Sequence, residues 1–127
     1  MGTWGPGNFD SDYALDFLST EVRRHVTTID RIMADAEAFQ LDEDAESVLM
    51  PTVAILVLLC KHCHALLPRA VNVQDWQTRY LAMYDRDIDG LEPKPDFKAQ
   101  RRAVIIDTFE RLQVLNHERG TSREAGR

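Results

Sequence analysis

Apolar residues recur at Ala14, Phe17, Leu18, Val22, Val26, Ile29, Ile32, Met33 and Ala36, a three-to-four-residue spacing that predicts a long amphipathic helix. Asp10 or Ser11 is placed to cap it, and Asp12 adds favourable charge in its first turn. Ser19 and Thr20 could divide this helix into two pieces. An acidic segment, 42-DEDAE-46, offers Asp44 as the cap of the next helix, and the run 48-VLMPTVAILVLLC-60 follows. Pro51 predicts a kink or a late start. From Val53 to Leu59 the chain is apolar on all sides, which marks a helix surrounded by other helices; Leu66-Leu67-Pro68 ends it. The third helix has the best local signature, with Asn72 at the cap, Asp75 three residues on, and Val71 and Trp76 in staple positions. Its apolar face continues through Tyr80, Leu81, Met83 and Tyr84. A fourth helix is predicted from Phe97 to His117, carrying Val104, Ile105, Phe109, Leu112 and Leu115. The segment 118-ERGTSREAGR-127 reads as a polar, frayed tail. With no strand-like alternation and no repeat, the expectation is an all-α single domain over residues 1–117. It has four or five helices and a glycine-rich N-terminal segment packed on it.

Length and charge narrow the function. At 127 residues the chain can bury a core without disulfide or metal staples. Residues 1–50 hold eleven Asp/Glu against three Lys/Arg, whereas residues 51–127 hold ten against twelve. Net charge is −6, which argues against nucleic acid, because affinity there comes from neutralising phosphates. A partner of the acidic half is expected to be basic. No basic-then-apolar leader opens the sequence. The apolar run from Val48 to Cys60 is shorter than the roughly 20 residues of a membrane span. A cytoplasmic protein with no membrane partner is the expectation.

The opening residues, Gly2-Thr3-Trp4-Gly5-x-Gly7-x-Phe9-Asp10-x-Asp12-x-Ala14-x-Asp16-Phe17, carry a resemblance. They resemble the start of a bacterial family of short proteins, catalogued as a domain of unknown function, whose members begin GTWG-x-G-x-FDND-x-A-x-DF. The chain departs from that family's alanine-rich helix at 53-VAILVLLC-60 and lacks its Asn-Ser-Glu-Leu…Trp ending. The resemblance implies a small helical, stand-alone cytosolic protein with no catalytic residues to carry over. Physically, Trp4 and Phe9 are expected to fold over the helix ends as a plug, with Gly5, Gly7 and Asn8 tolerating positive φ and backbone running close to backbone. The other reading makes Trp4, Asp10, Asp12 and Asp16 a recognition surface, with Asp12 and Asp16 one helical turn apart.

Two motifs suggest metals. Asp85, Asp87, Asp89, Leu91 (through its carbonyl) and Asp96 occupy positions 1, 3, 5, 7 and 12 of a calcium-loop spacing, with Gly90 at 6. Glu92, Pro93 and Pro95 depart from that pattern and no second hand exists. The competing account makes 85–90 the end of helix three and Asp96 the cap of helix four. The second motif, 60-CKHCH-64, matches a haem-attachment spacing, and on a helix Cys60, Cys63 and His64 would share a face that His25 or His117 could complete around zinc. Its place at the end of the most apolar helix argues for neither haem nor zinc. Nucleophile elbows and phosphate loops are absent.

The expected function is a non-catalytic protein-interaction module, of inhibitor or immunity type in its most concrete form. Its candidate contacts are Trp4, Phe9, Asp10, Asp12, Asp16, Asp42, Glu43 and Asp44. A homo-oligomer is a compatible state, no cofactor is expected, and a calcium or magnesium protein built on Asp85–Asp96 or on Asp10, Asp12 and Asp16 is the alternative.

Overall fold

The structure, a computed structural model, describes residues 3–125, with side chains described through Glu118. Gly2 of the opening motif and residues 126–127 of the expected tail lie outside them. The fold is all-α: α1 (Asp12–Ala34), a π-helical turn (Ala45–Leu49) that runs straight into α2 (Met50–His62), α3 (Val73–Asp87), a 3-10 turn (Ile88–Leu91) and α4 (Pro95–Ala125). Helix α2 packs against both α1 and α4, and α3 packs against α4.

The local signals explain most boundaries. Ser11 caps α1, its hydroxyl accepting the Ala14 N–H at 3.2 Å. Asn72 caps α3 in the same way from Asp75 at 3.0 Å. Ser19 and Thr20 do not divide α1, because Thr20 bonds back to the Asp16 carbonyl on the exposed side at 3.2 Å. Asp44 makes no capping bond and is itself helical, contrary to its expected role. Helix α2 stops at His62, earlier than Leu66, because His64 takes a left-handed conformation (φ 66°). The Leu59 carbonyl there accepts both the Cys63 and Ala65 N–H groups. Helix α4 starts at Pro95 with Asp96 inside its first turn, and continues past His117 to Ala125. Pro is suited to a first turn because its missing N–H has no partner to lose there.

The widened turn before α2 is the local answer to Pro51. A proline inside an α-helix clashes with the carbonyl four residues back. The π turn opens the coil where that clash would fall, and the Met50 N–H reaches back to the Ala45 carbonyl. Thr52 then bonds the Val48 carbonyl at 2.7 Å. The core forms around this helix. Leu18, Val22 and Ile29 of α1, Val53 and Leu56 of α2, Tyr80 and Tyr84 of α3, and Ile105, Phe109 and Leu112 of α4 are all buried. Tyr80 stands edge-on to Phe39, with ring centroids 6.2 Å apart, and tilts against Phe109 at 5.9 Å.

Helix α2 is not enclosed as its sequence suggested. Ala54, Ile55 and Leu58 are exposed. Together with the π turn, Ala45–His62 is long and apolar enough to cross a membrane by composition, with mean hydropathy 1.5 over 18 residues, yet 44% of it is buried inside the fold. One face serves the core and the other faces outward.

Three elements meet at a polar chain. The Tyr80 hydroxyl lies 3.1 Å from the Ala45 carbonyl and 3.1 Å from Glu46 Oε2, while the other Glu46 oxygen pairs with Arg101. Burial, and then the neighbouring Glu46 carboxylate, push the Tyr80 pKa up, so the phenol stays protonated as a donor. Tyr80→Phe is expected to cost about 1–3 kcal/mol, read as a lower urea midpoint with an unchanged m-value.

Candidate functional site

The N-terminal segment is a closed loop built on Asp10. The Trp4 N–H donates to the Asp10 carbonyl at 2.9 Å, the Asp10 N–H donates to the Gly7 carbonyl at 3.1 Å, and Thr3 pairs with Ser11 in an isolated antiparallel bridge. The Asp10 carboxylate accepts the Gly7 N–H at 2.8 Å. A Cβ on Gly5 or on Gly7 would come within 2.6 Å of the same Asp10 oxygen. The glycines therefore permit close approach; neither they nor Asn8 take positive φ. Asp10 is occupied inside this loop.

Only half of the expected plug packs inward. Phe9 rests against the core, whereas Trp4 is 57% exposed. Tyr13 and Phe17 stand one turn apart on the outward face of α1, 83% and 63% exposed. Phe17 was expected in the core, but successive helical residues diverge by about 100°. Leu18 takes the buried place. Asp12 and Asp16 are exposed at the same end of α1. Tyr13 and Phe17 with these two carboxylates make an acidic aromatic surface at the start of α1, and the exposed Trp4 stands in the loop that is bonded to Asp10 just before it. Tyr13 fell outside the apolar pattern; the signal was the helical wheel, on which Tyr13 lies opposite the buried Val22 and Phe17 about 140° from it.

Asp42, Glu43 and Asp44 are exposed too, but they lie beyond the far end of α1. That helix has 23 residues, which is about 34 Å of axis. The acidic candidates thus form two separate groups.

The 85–96 segment directs its carboxylates to different cations. Arg102 grips Asp85 through two bonds of 2.9 Å, and Lys98 bonds Asp89 at 2.6 Å. Asp87 accepts Arg86 at 2.6 Å and the Leu41 N–H at 3.3 Å, which ties the loop before the π turn to the end of α3. Asp85 and Asp87 still belong to α3, Leu91 closes the 3-10 turn, and Asp96 lies in α4. Gly90 has open space around it, and the left-handed residue is Glu92, at φ 52°. Hydrogen bonds from Arg102 and Arg86, respectively, hold the Asp85 and Asp87 carboxyls below the usual range. At the end of α2, Cys60 is buried and Cys63 half-buried, while His64 has left the helix, so the three do not share a helical face. Among the described residues, no group of three His, Cys, Asp or Glu side chains is gathered for a metal.

A groove of about 310 Å³ lies between α1 and the segment after α2 and is lined by Leu15, Leu18, Arg23, His64, Leu67 and Arg69 among others. Arg23 is turned toward the Ser19 carbonyl at 3.4 Å.

A protein-family model described as Domain of unknown function (DUF4259) matches residues 2–118. No curated protein and no solved structure matches the chain.

Titration with calcium or magnesium at millimolar concentration is expected to give no binding heat, because the ion would have to displace Arg102 and Lys98. A rise in thermal midpoint would show that the carboxylates turn away from those cations. The lowered Asp85 and Asp87 pKa values stabilise the fold above about pH 4, the unfolded carboxyl value. That stability is lost as pH falls through the folded values. Acid unfolding of Asp85→Asn should therefore depend less on pH than that of the parent, by a small margin because Asp85 is half exposed.

Proposed function

This chain belongs to the family of the domain of unknown function DUF4259, and on the surface just described we propose that it is a non-catalytic protein-interaction module of a bacterial cytoplasm. Its ligand is a basic segment of another protein, held at the N-terminal end of α1. The observation that carries this reading is the exposure of Trp4, Tyr13 and Phe17 together. Large aromatics are the residue class on which interface energy concentrates. Their faces attract Lys and Arg, most strongly once water is excluded. Asp12 and Asp16 supply complementary charge one turn apart, and the −8 balance of residues 1–50 extends the attraction.

The loop supports this role physically. Trp4 is held to Asp10 through its backbone, so its ring sits on a fixed stem beside α1. A pre-ordered aromatic costs less entropy to immobilise on binding. In the inhibitor form of the proposal, covering the basic segment is itself the activity, and no chemistry at the chain is needed.

The test is affinity capture from the native host, with two variants beside the parent. Tyr13→Ala/Phe17→Ala is expected to lose the partner, with affinity weakened at least about tenfold. Its thermal midpoint should stay close to that of the parent, because surface changes are worth about 0.5 kcal/mol or less. Neutralising Asp42, Glu43 and Asp44 together should leave capture in place. Retention of the same partner by the Tyr13/Phe17 variant would overturn the assignment.

A further inference from the structure

The outward face of α2 and its leading π turn carries a row with an internal symmetry. Asp44, Val48, Pro51, Ile55, Leu58 and His62 are all exposed. They follow one another at alternating steps of four and three residues, the spacing of a two-helix seam. Leu58 is 55% exposed and Ile55 41%, on a helix whose Met50, Val53, Leu56 and Val57 are buried and whose Leu59 is half-buried. The row is balanced about residue 53: Pro51 and Ile55 are equidistant from it, as are Val48 and Leu58, and as are Asp44 and His62.

We propose that this face is the interface of a homodimer, with the two α2 helices antiparallel across a two-fold axis. A two-fold contact uses one patch on both copies and demands that the patch complement itself. This row does. Laid against a second copy in reverse, Val48 meets Leu58, Pro51 meets Ile55, and each Asp44 carboxylate meets a His62 imidazole. Glu43 and Lys61, both exposed beside the row, place a further acid at one end and a further base at the other. The apolar surface continues past Lys61 onto α4. There Val114 is exposed, and a groove of about 320 Å³ is lined by Val57, Lys61, Glu110, Arg111, Val114 and Leu115.

Charge selects the second copy over a lipid surface. Asp44 and Glu43 stand at one end of the row, and residues 1–50 carry a balance of −8, which an anionic membrane repels. The buried half of Ala45–His62 is held by the core and is not available to span a bilayer. The interface lies on α2, whereas the proposed partner site lies on the outward face of α1, so either reading can fail without the other.

Sedimentation equilibrium of the full chain over a micromolar concentration series reads the proposal directly. The parent is expected to populate a dimer, and Leu58→Glu to raise the dimer dissociation constant at least about tenfold with an unchanged helical spectrum. The charge exchange separates this contact from any other. Asp44→His alone and His62→Asp alone each place like groups opposite one another and should weaken the dimer, while the double variant Asp44→His/His62→Asp should recover it. A parent that stays monomeric through the series overturns the proposal. So does a dimer that neither Leu58→Glu nor the single exchanges disturb, and so does a monomer that co-sediments with lipid vesicles through the same face.

Discussion

Pro51 cannot be accommodated in an unbroken α-helix, and much of the core is organised around the turn that admits it. Across the widened coil at Ala45–Leu49 the Ala45 carbonyl accepts the Met50 N–H. Tyr80 adds a second bond to that carbonyl from α3, and the same hydroxyl reaches Glu46, whose other oxygen holds Arg101 of α4. One phenol thus fixes the depth and rotation of three elements. Its ring also serves packing, since Phe39 and Phe109 lie against it from either side. The cost of the arrangement shows at Arg101, whose Nε is buried without a hydrogen-bond partner among the described residues.

The features readable in the chain were those with short-range causes. Ser11 and Asn72 cap their helices through bonds to residues three positions on, and such bonds depend on local sequence alone. The all-α class followed from periodicity for the same reason. The features that escaped depend on what lies across the fold. Helix α2 is apolar all round, and nothing within it says which face α1 and α4 will cover; Ile55 and Leu58 turned out to be on the open one. Phe17 and Leu18 are both apolar neighbours, and only the position of the core decided between them. Asp85, Asp87 and Asp89 matched a metal spacing, but the spacing carried no information about Arg102 and Lys98, which approach from the next helix.

The candidate surface shows the same division. A close approach of backbone to backbone was anticipated as the reason for glycine at Gly5 and Gly7, whereas the group that approaches them is the Asp10 side-chain carboxylate. Trp4 and Phe9 were paired in one plug by composition, yet the loop turns one ring inward and leaves the other in solvent. The candidate acidic residues are split between the two ends of α1; Trp4, Tyr13 and Phe17 are exposed at one of those ends, while a further exposed aromatic, Phe97, lies at the start of α4.

The bridge between Thr3 and Ser11 has a practical side. It returns the chain's beginning to the start of α1, beside Trp4 and one turn from Tyr13. Any sequence joined ahead of Thr3 leaves the body at that corner. An affinity handle or fused domain placed there would stand over the aromatics. The geometry of a nine-residue loop therefore decides whether a reporter attached ahead of it shades the surface it is meant to report on.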